Sequence, residues 1–176
     1  IGLPEFYAKP VIDSGALDRY EPPNINDIPS AKRWEPGGYV TPLDEGYITI
    51  LYNQTIVNRM GLPIPAALDD LLRPEYRGLV IYPNPTTSGT GLAFLMWVLT
   101  VKGEEPGFQF LKQLKGNIAS TGYPGGWTAS VTALQRGEAA VAIMWNTDAG
   151  YEGTPDLRVA ATTGYAYREG IALVHG

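Results

Sequence analysis

Cysteine is absent and histidine occurs once, as His175, so disulfides, thiolate metal sites, histidine-ligated zinc and a Ser-His-Asp triad are all excluded. Cations are few: 13 Lys and Arg stand against 18 Asp and Glu, a net charge of −5. That balance argues against nucleic acid and against an anionic membrane surface, and suits a neutral or cationic partner. Apolar runs are short and interrupted, too short to span a bilayer. Glycine-rich nucleotide signatures are missing as well. No Lys follows Gly89 and Gly91, which excludes a P-loop, and a third glycine is lacking for a dinucleotide fingerprint. An enzyme would need a serine activated by Lys or by a carboxylate, and no such pairing is visible. The chain is read as a non-enzyme without a cofactor.

Aromatic residues, by contrast, are plentiful. Eleven Tyr and four Trp in 176 residues exceed what core filling alone asks for, and such an excess in an acidic chain often lines a site for a flat or cationic ligand. At 44% hydrophobic residues the chain can bury a core as one domain or two small lobes. It starts at Ile1 without Met and ends in IALVHG, within what reads as a strand. A fragment or processed product is the expectation.

The most informative stretch is LVIYPNPTTSGTGLAFLMWVL, from Leu79 to Leu99. Leu79 to Tyr82 has the β-branched, apolar character of a buried strand, and Gly91 to Leu99 that of a buried helix. Between them Pro83, Pro85, Gly89 and Gly91 enforce a turn, and Thr86, Thr87, Ser88 and Thr90 are candidate helix caps. A strand, a hydroxyl-rich turn and a helix N-terminus expose backbone N–H groups at the positive end of a dipole, which suits an anionic oxygen.

Along the rest of the chain a helix is expected from Glu5 to Ser14, then a Pro/Asn-rich loop from Glu21 to Pro29. A strand is expected over Tyr39 to Tyr52, alternating from Gly46 onward and entered through Pro42. Asn53 to Gly61 reads as a turn or short helix and Pro65 to Leu72 as a helix. Glu104 to Lys115 is a helix with Phe108, Leu111 and Leu114 on one face, and Ile118 to Gly126 a strand and loop. Trp127 to Arg136 is a helix opened by Thr128 or Ser130, and Ala139 to Trp145 a buried strand leading into the polar loop NTDAGYEG. Leu157 to Thr163 and Ile171 to Val174 read as strands separated by GYAYREG. Strands alternating with helices predict an α/β fold whose ligand sits at the carboxyl ends of strands. The loops after Tyr82 and Trp145 fall at such ends.

The order of LDEGYITILYN, NPTTSGTGLAFLMW, GGWTASVTALQRGE and MWNTDAGY resembles the type 2 periplasmic solute-binding proteins of ABC importers, and most of all their thiamine-binding branch. The resemblance implies an α/β lobe with a mixed, mostly parallel sheet, plus hinge strands and part of the other lobe. Residues 1–51 would form a partial first lobe and hinge strand, 52–157 the second lobe and 158–176 the return hinge region. It implies a small-molecule ligand, thiamine or its phosphates, and a membrane permease as partner, in the periplasm or outside the cell at the transporter.

Residue by residue, Ser88 matches the position that holds the phosphate of thiamine phosphates, with Thr87 and Gly89 beside it. Trp127 matches a tryptophan that packs on the ligand. Trp145 stands at a tyrosine position, Tyr151 at the second tyrosine of that loop, and Asp44 and Tyr47 in the hinge approach. Asp148, between Trp145 and Tyr151, is a candidate charge partner for the thiazolium. Iron(III) or a polyamine in the same fold is the alternative ligand. A further alternative is an isolated lobe that does not bind, or that pairs with a second copy through its exposed cleft face.

Overall fold

A computed structural model describes residues 1–154, 156–160 and 163–176. In chain order the elements are β1 (Gly2–Pro4), α1 (Glu5–Asp13), β2 (Leu17–Asp18), β3 (Thr41–Asn53), α2 (Gln54–Met60), β4 (Val80–Ile81), α3 (Gly89–Lys102), α4 (Glu104–Leu114), α5 (Trp127–Gln135), β5 (Val141–Trp145), β6 (Leu157–Val159), β7 (Tyr165–Ile171) and β8 (Leu173–Val174). They divide into two compact units. One comprises Ile1–Gly46 with Ala166–Gly176, the other Tyr47–Tyr165. The chain passes from one unit to the other inside β3 and returns at the start of β7. Among the described residues no helix is long and apolar enough to cross a membrane.

In the smaller unit β1 pairs antiparallel with the end of β7, and β2 with β8. Leu3, Ala8, Leu17, Val40 and Ala172 bury together there, with Trp34 and Tyr39 against them. Sequence reading places a loop over GYAYREG, yet β7 runs through it. Its alternation is masked by Gly170, which is needed for space: a Cβ would lie 2.4 Å from Val40 Cγ1 and 2.8 Å from the Thr41 carbonyl oxygen. The strand expected over Ile171 to Val174 is split, with β7 ending at Ile171 and β8 beginning at Leu173.

In the larger unit the strand order is β6-β3-β5-β4. The α/β class and the mixed sheet stand, but "mostly parallel" does not describe the pairing. β3 runs antiparallel to both β5 and β6, whereas the β4–β5 ladder and the Val80–Ile118 bridge are parallel. The physical reason is that β3 and β6 are not joined to their neighbours by β-helix-β crossovers, the connection that makes a sheet parallel. Ile48 to Tyr52 of β3 are buried without a break, as are Val141 to Met144 of β5, so both carry apolar side chains on both faces and neither alternates. Leu51, Ile81, Val131, Leu134, Ala142, Met144 and Leu157 form the core between this sheet and α5.

Several helical expectations shift in detail. Pro65 to Leu72 forms only a 3₁₀ turn at Leu68–Leu72. In α4 the buried face is Gly107, Phe110 and Leu114 rather than the one containing Phe108, which is 49% exposed. Gly107 decides this, because its missing side chain lets α4 approach α3 where a Cβ would sit 2.8 Å from Leu99 Cδ2. The segment from Leu157 continues as a strand only to Val159, and the expectation for positions 161 and 162 lies outside the described residues.

Candidate functional site

β4 ends at Ile81, and the chain turns through Pro83-Asn84-Pro85 into α3. Asn84 organises the turn. Its side-chain Oδ1 accepts from the Thr86 N–H at 2.9 Å and from the Thr86 hydroxyl at 2.8 Å, and its carbonyl accepts from the N–H groups of Thr87 and Ser88. Of the four hydroxyl residues, Ser88 is the one that caps α3. Its backbone is extended (φ −137°, ψ 129°) and its Oγ faces the Gly91 N–H at 3.5 Å. The N–H groups of Gly89 and Thr90, in the first turn of the helix, are among those that a helix start leaves without an intrahelical acceptor. Sequence reading places Gly91 where the turn ends and the helix begins. It is a tight glycine position, since a Cβ there would meet the Pro83 carbonyl oxygen at 2.2 Å and Asn84 C at 2.8 Å. Glycine lets α3 start directly against the chain leaving β4.

Two hydrogen bonds tie this turn to the segment that opens α5. Asn84 N–H donates to the Pro124 carbonyl at 2.8 Å, and Thr87 Oγ1–H donates to the Gly125 carbonyl at 3.1 Å. Two residues on, Trp127 is the first residue of α5. Neither Thr128 nor Ser130 caps that helix. Ser130 Oγ instead donates back to the Gly126 carbonyl at 3.0 Å and Thr132 Oγ1 to Thr128 at 2.9 Å, internal bonds that leave Gly126 as a cap without a side chain.

Trp127 reaches across to the loop after β5. Its Nε1–H donates to Asp148 Oδ1 at 2.9 Å, and its ring meets that of Tyr151 edge to face, 5.3 Å between centroids at 69°. The second Asp148 oxygen, Oδ2, accepts from the Trp145 N–H at 3.0 Å. Asp148 is 6% exposed, and burial raises its carboxyl above the ordinary 3.8 even though the Trp127 and Trp145 donors pull the other way. Tyr151 is 43% exposed and lies over Gly153, where a Cβ would come within 2.3 Å of its ring. At the end of β5, Trp145 pairs with Ile48, and the Tyr47 N–H donates to Asn146 Oδ1 at 2.8 Å. Tyr47 itself is 55% exposed.

Eight of the nine residues singled out from sequence lie in one unit, Thr87, Ser88, Gly89, Trp127, Asp148, Trp145, Tyr151 and Tyr47; hydrogen bonds and a ring contact join Trp127, Asp148, Trp145 and Tyr151 directly, and Thr87 bonds to the Gly125 carbonyl two residues before Trp127. Asp44 is exposed and belongs to the other unit, where it helps to raise the carboxyl of Glu169 behind that group's burial. Sequence reasoning misses Asn84, Asn146, Gly91 and Gly153. Only Asn84 carries a signal, as the centre of a Pro-Asn-Pro turn ahead of hydroxyl residues.

The larger unit thus carries a capped helix N-terminus and a half-exposed aromatic corner. The chain superimposes on the periplasmic binding protein AfuA from Actinobacillus pleuropneumoniae, solved with fructose-6-phosphate bound, with a TM-score of 0.82 at 23% identity over 94% of this chain and 54% of that one. A periplasmic thiamin binding protein matches with a TM-score of 0.80 at 22% identity over 98% and 54% of the two chains. The chain belongs to the bacterial extracellular solute-binding proteins, whose family model matches residues 4–150. Among curated proteins, the thiamine-binding periplasmic protein of Escherichia coli K12 is 28% identical over 120 residues, 66% of this chain and 35% of that protein. This chain spans about half the length of the solved neighbours, and its matched stretch about a third of that relative.

Proposed function

We propose that this chain is part of the solute-binding component of an ABC importer and takes thiamine or a thiamine phosphate, outside the cytoplasm, for delivery to a membrane permease. The observation that carries this reading is the corner itself: the Trp127 and Tyr151 rings packed edge to face beside a buried carboxylate. A flat, permanently cationic ring gains from aromatic faces, roughly 0.5 to 2 kcal/mol for each desolvated cation–π contact. Ser88 and the first N–H groups of α3 stand next in the hydrogen-bonded chain and suit a phosphate oxygen. Thr87 and Gly89 flank that position, and Tyr47 precedes Ile48, the strand partner of Trp145. Asp44 lies in the smaller unit and keeps its place in this reading on motif order alone. On the same reading Tyr47–Tyr165 is essentially one lobe, and Ile1–Gly46 with Ala166–Gly176 belongs to the other.

The likeness of the curated relative supports thiamine over the other ligands the fold carries. A tryptophan-fluorescence titration tests it, with thiamine, its monophosphate and its pyrophosphate set against spermidine and ferric citrate and corrected for absorbance. Saturable quenching by the thiamine series alone is expected. Saturation by spermidine or ferric citrate in its place would assign the fold a different ligand.

A further inference from the structure

Asp148 is an acid buried without a cation. It is 6% exposed, and no Lys, Arg or His among the described residues forms an ion pair with it. Its acceptor oxygens are instead spent on the three aromatic residues of the corner and on the loop beneath them. Oδ1 accepts the Trp127 indole N–H at 2.9 Å and Oδ2 the Trp145 backbone N–H at 3.0 Å. Its carbonyl accepts the Tyr151 N–H at 3.2 Å and the Thr154 hydroxyl at 3.2 Å. Trp127 opens α5 and Trp145 ends β5, so a single carboxylate sets the end of one element against the start of another. Such a group is poorly placed to touch a ligand, because both oxygens already face protein donors.

We infer that Asp148 is the positioning residue of the aromatic corner, fixing the plane of the Trp127 indole relative to Trp145 and Tyr151 and enriching that indole as a face for a cation. The second part follows from the bond type. A charge-assisted hydrogen bond from an indole N–H to a carboxylate pushes electron density into the ring, which strengthens the ring's attraction for positive charge. The inference rests on the reading that a ligand stacks at Trp127, and it replaces the expectation of direct charge pairing at Asp148 with an action through the indole.

A double-mutant cycle separates positioning from a general role in the loop. Asp148→Asn keeps the side chain's size but converts one acceptor into a donor, and Trp127→Phe keeps a ring but removes the N–H. Thiamine affinity by calorimetry is expected to fall about 10-fold in Asp148→Asn, on the scale of a lost charge-assisted hydrogen bond. In the Trp127→Phe background the same Asp148→Asn change should weaken binding by less than about 2-fold further, because the partner bond is already gone. Losses that multiply in the double variant would overturn the inference, since Asp148 would then act independently of the indole.

Ligand-free readouts keep this apart from the identity of the ligand. In Asp148→Asn the Trp127 indole N–H proton resonance should move upfield while the other three indole resonances and the far-ultraviolet circular dichroism stay in place. An unmoved Trp127 resonance would overturn the positioning role even if thiamine binds. If the unmutated chain fails to bind thiamine while the Trp127 resonance does move, the ligand assignment fails and the positioning of the indole stands. Hydrogen exchange of the Trp127 indole N–H in the unmutated chain reads the same bond without any substitution. Protection of at least about 10-fold over a free indole is expected from a hydrogen-bonded, half-buried group, and free exchange would remove the bond on which the inference depends.

Discussion

The two halves of the candidate site are built by opposite means. The Ser88 turn is a local object in which eight consecutive residues, Pro83 to Thr90, organise themselves through backbone hydrogen bonds, one asparagine side chain and a glycine at the next position. The corner of Trp127, Asp148, Trp145 and Tyr151 is assembled by side chains from segments about twenty residues apart. Sterics therefore govern the first and polar satisfaction the second. A turn of this kind tolerates changes of chemistry better than changes of volume, and the corner should behave in the reverse way.

Four measurements sharpen or break that contrast. The largest effect belongs to Gly91→Ala, where the new methyl has only backbone to meet, at 2.2 Å from the Pro83 oxygen. A stability loss of about 3 kcal/mol in urea unfolding is expected from such overpacking, and a loss under about 0.5 kcal/mol would show that α3 can slide away from the turn. Next comes Trp127→Ala, expected to cost on the order of 1 to 3 kcal/mol of ligand binding by analogy with stacking on flat bases. Equal affinity in variant and parent removes Trp127 from the site. Ser88→Ala should lower stability by only about 1 kcal/mol, the usual worth of a helix cap. Its effect on a thiamine phosphate should exceed its effect on thiamine, and equal effects on the two would place the phosphate elsewhere.

The smallest effect is one of pH. The Ser88 turn has no titratable side chain, whereas the corner holds Asp148, whose folded carboxyl is raised by burial above 3.8. A raised acid binds its proton more tightly folded than unfolded. Its titration thus contributes stability that is complete below 3.8 and lost as pH rises through the folded value. Asp148→Asn should flatten that part of the stability–pH profile. Ser88→Ala should leave it unchanged, and a profile altered by Ser88→Ala would break the contrast.

Legibility in the sequence follows the same division. The strand, turn and helix around Ser88 are readable from local pattern because local pattern makes them. As a cap, Ser88 is one of four candidates in the sequence, and only the extended backbone at that residue picks it out. Trp127, Trp145 and Tyr151 are legible through motif order and not through any spacing that foretells a ring contact. For Asp148 a free charge partner is the natural expectation, because a sequence does not say that two N–H groups from different elements will claim both oxygens. β7 escapes sequence reading because Gly164 and Gly170 bracket Tyr165 to Glu169 and make the stretch look like a loop, when both glycines are close-approach positions. The antiparallel partners of β3 lie about a hundred residues away in sequence, beyond the reach of any local signal.

By itself the sequence determined the chemical class of this protein: no thiol, one histidine, an acidic balance of charge, abundant aromatics and an α/β alternation, all of them properties of composition and short-range pattern. Tertiary structure alone decided which aromatics meet, which hydroxyl caps, where a methyl cannot fit and why both Asp148 oxygens are already taken. These depend on distances between residues remote in the chain, and only the packed sheet and its helices set those distances.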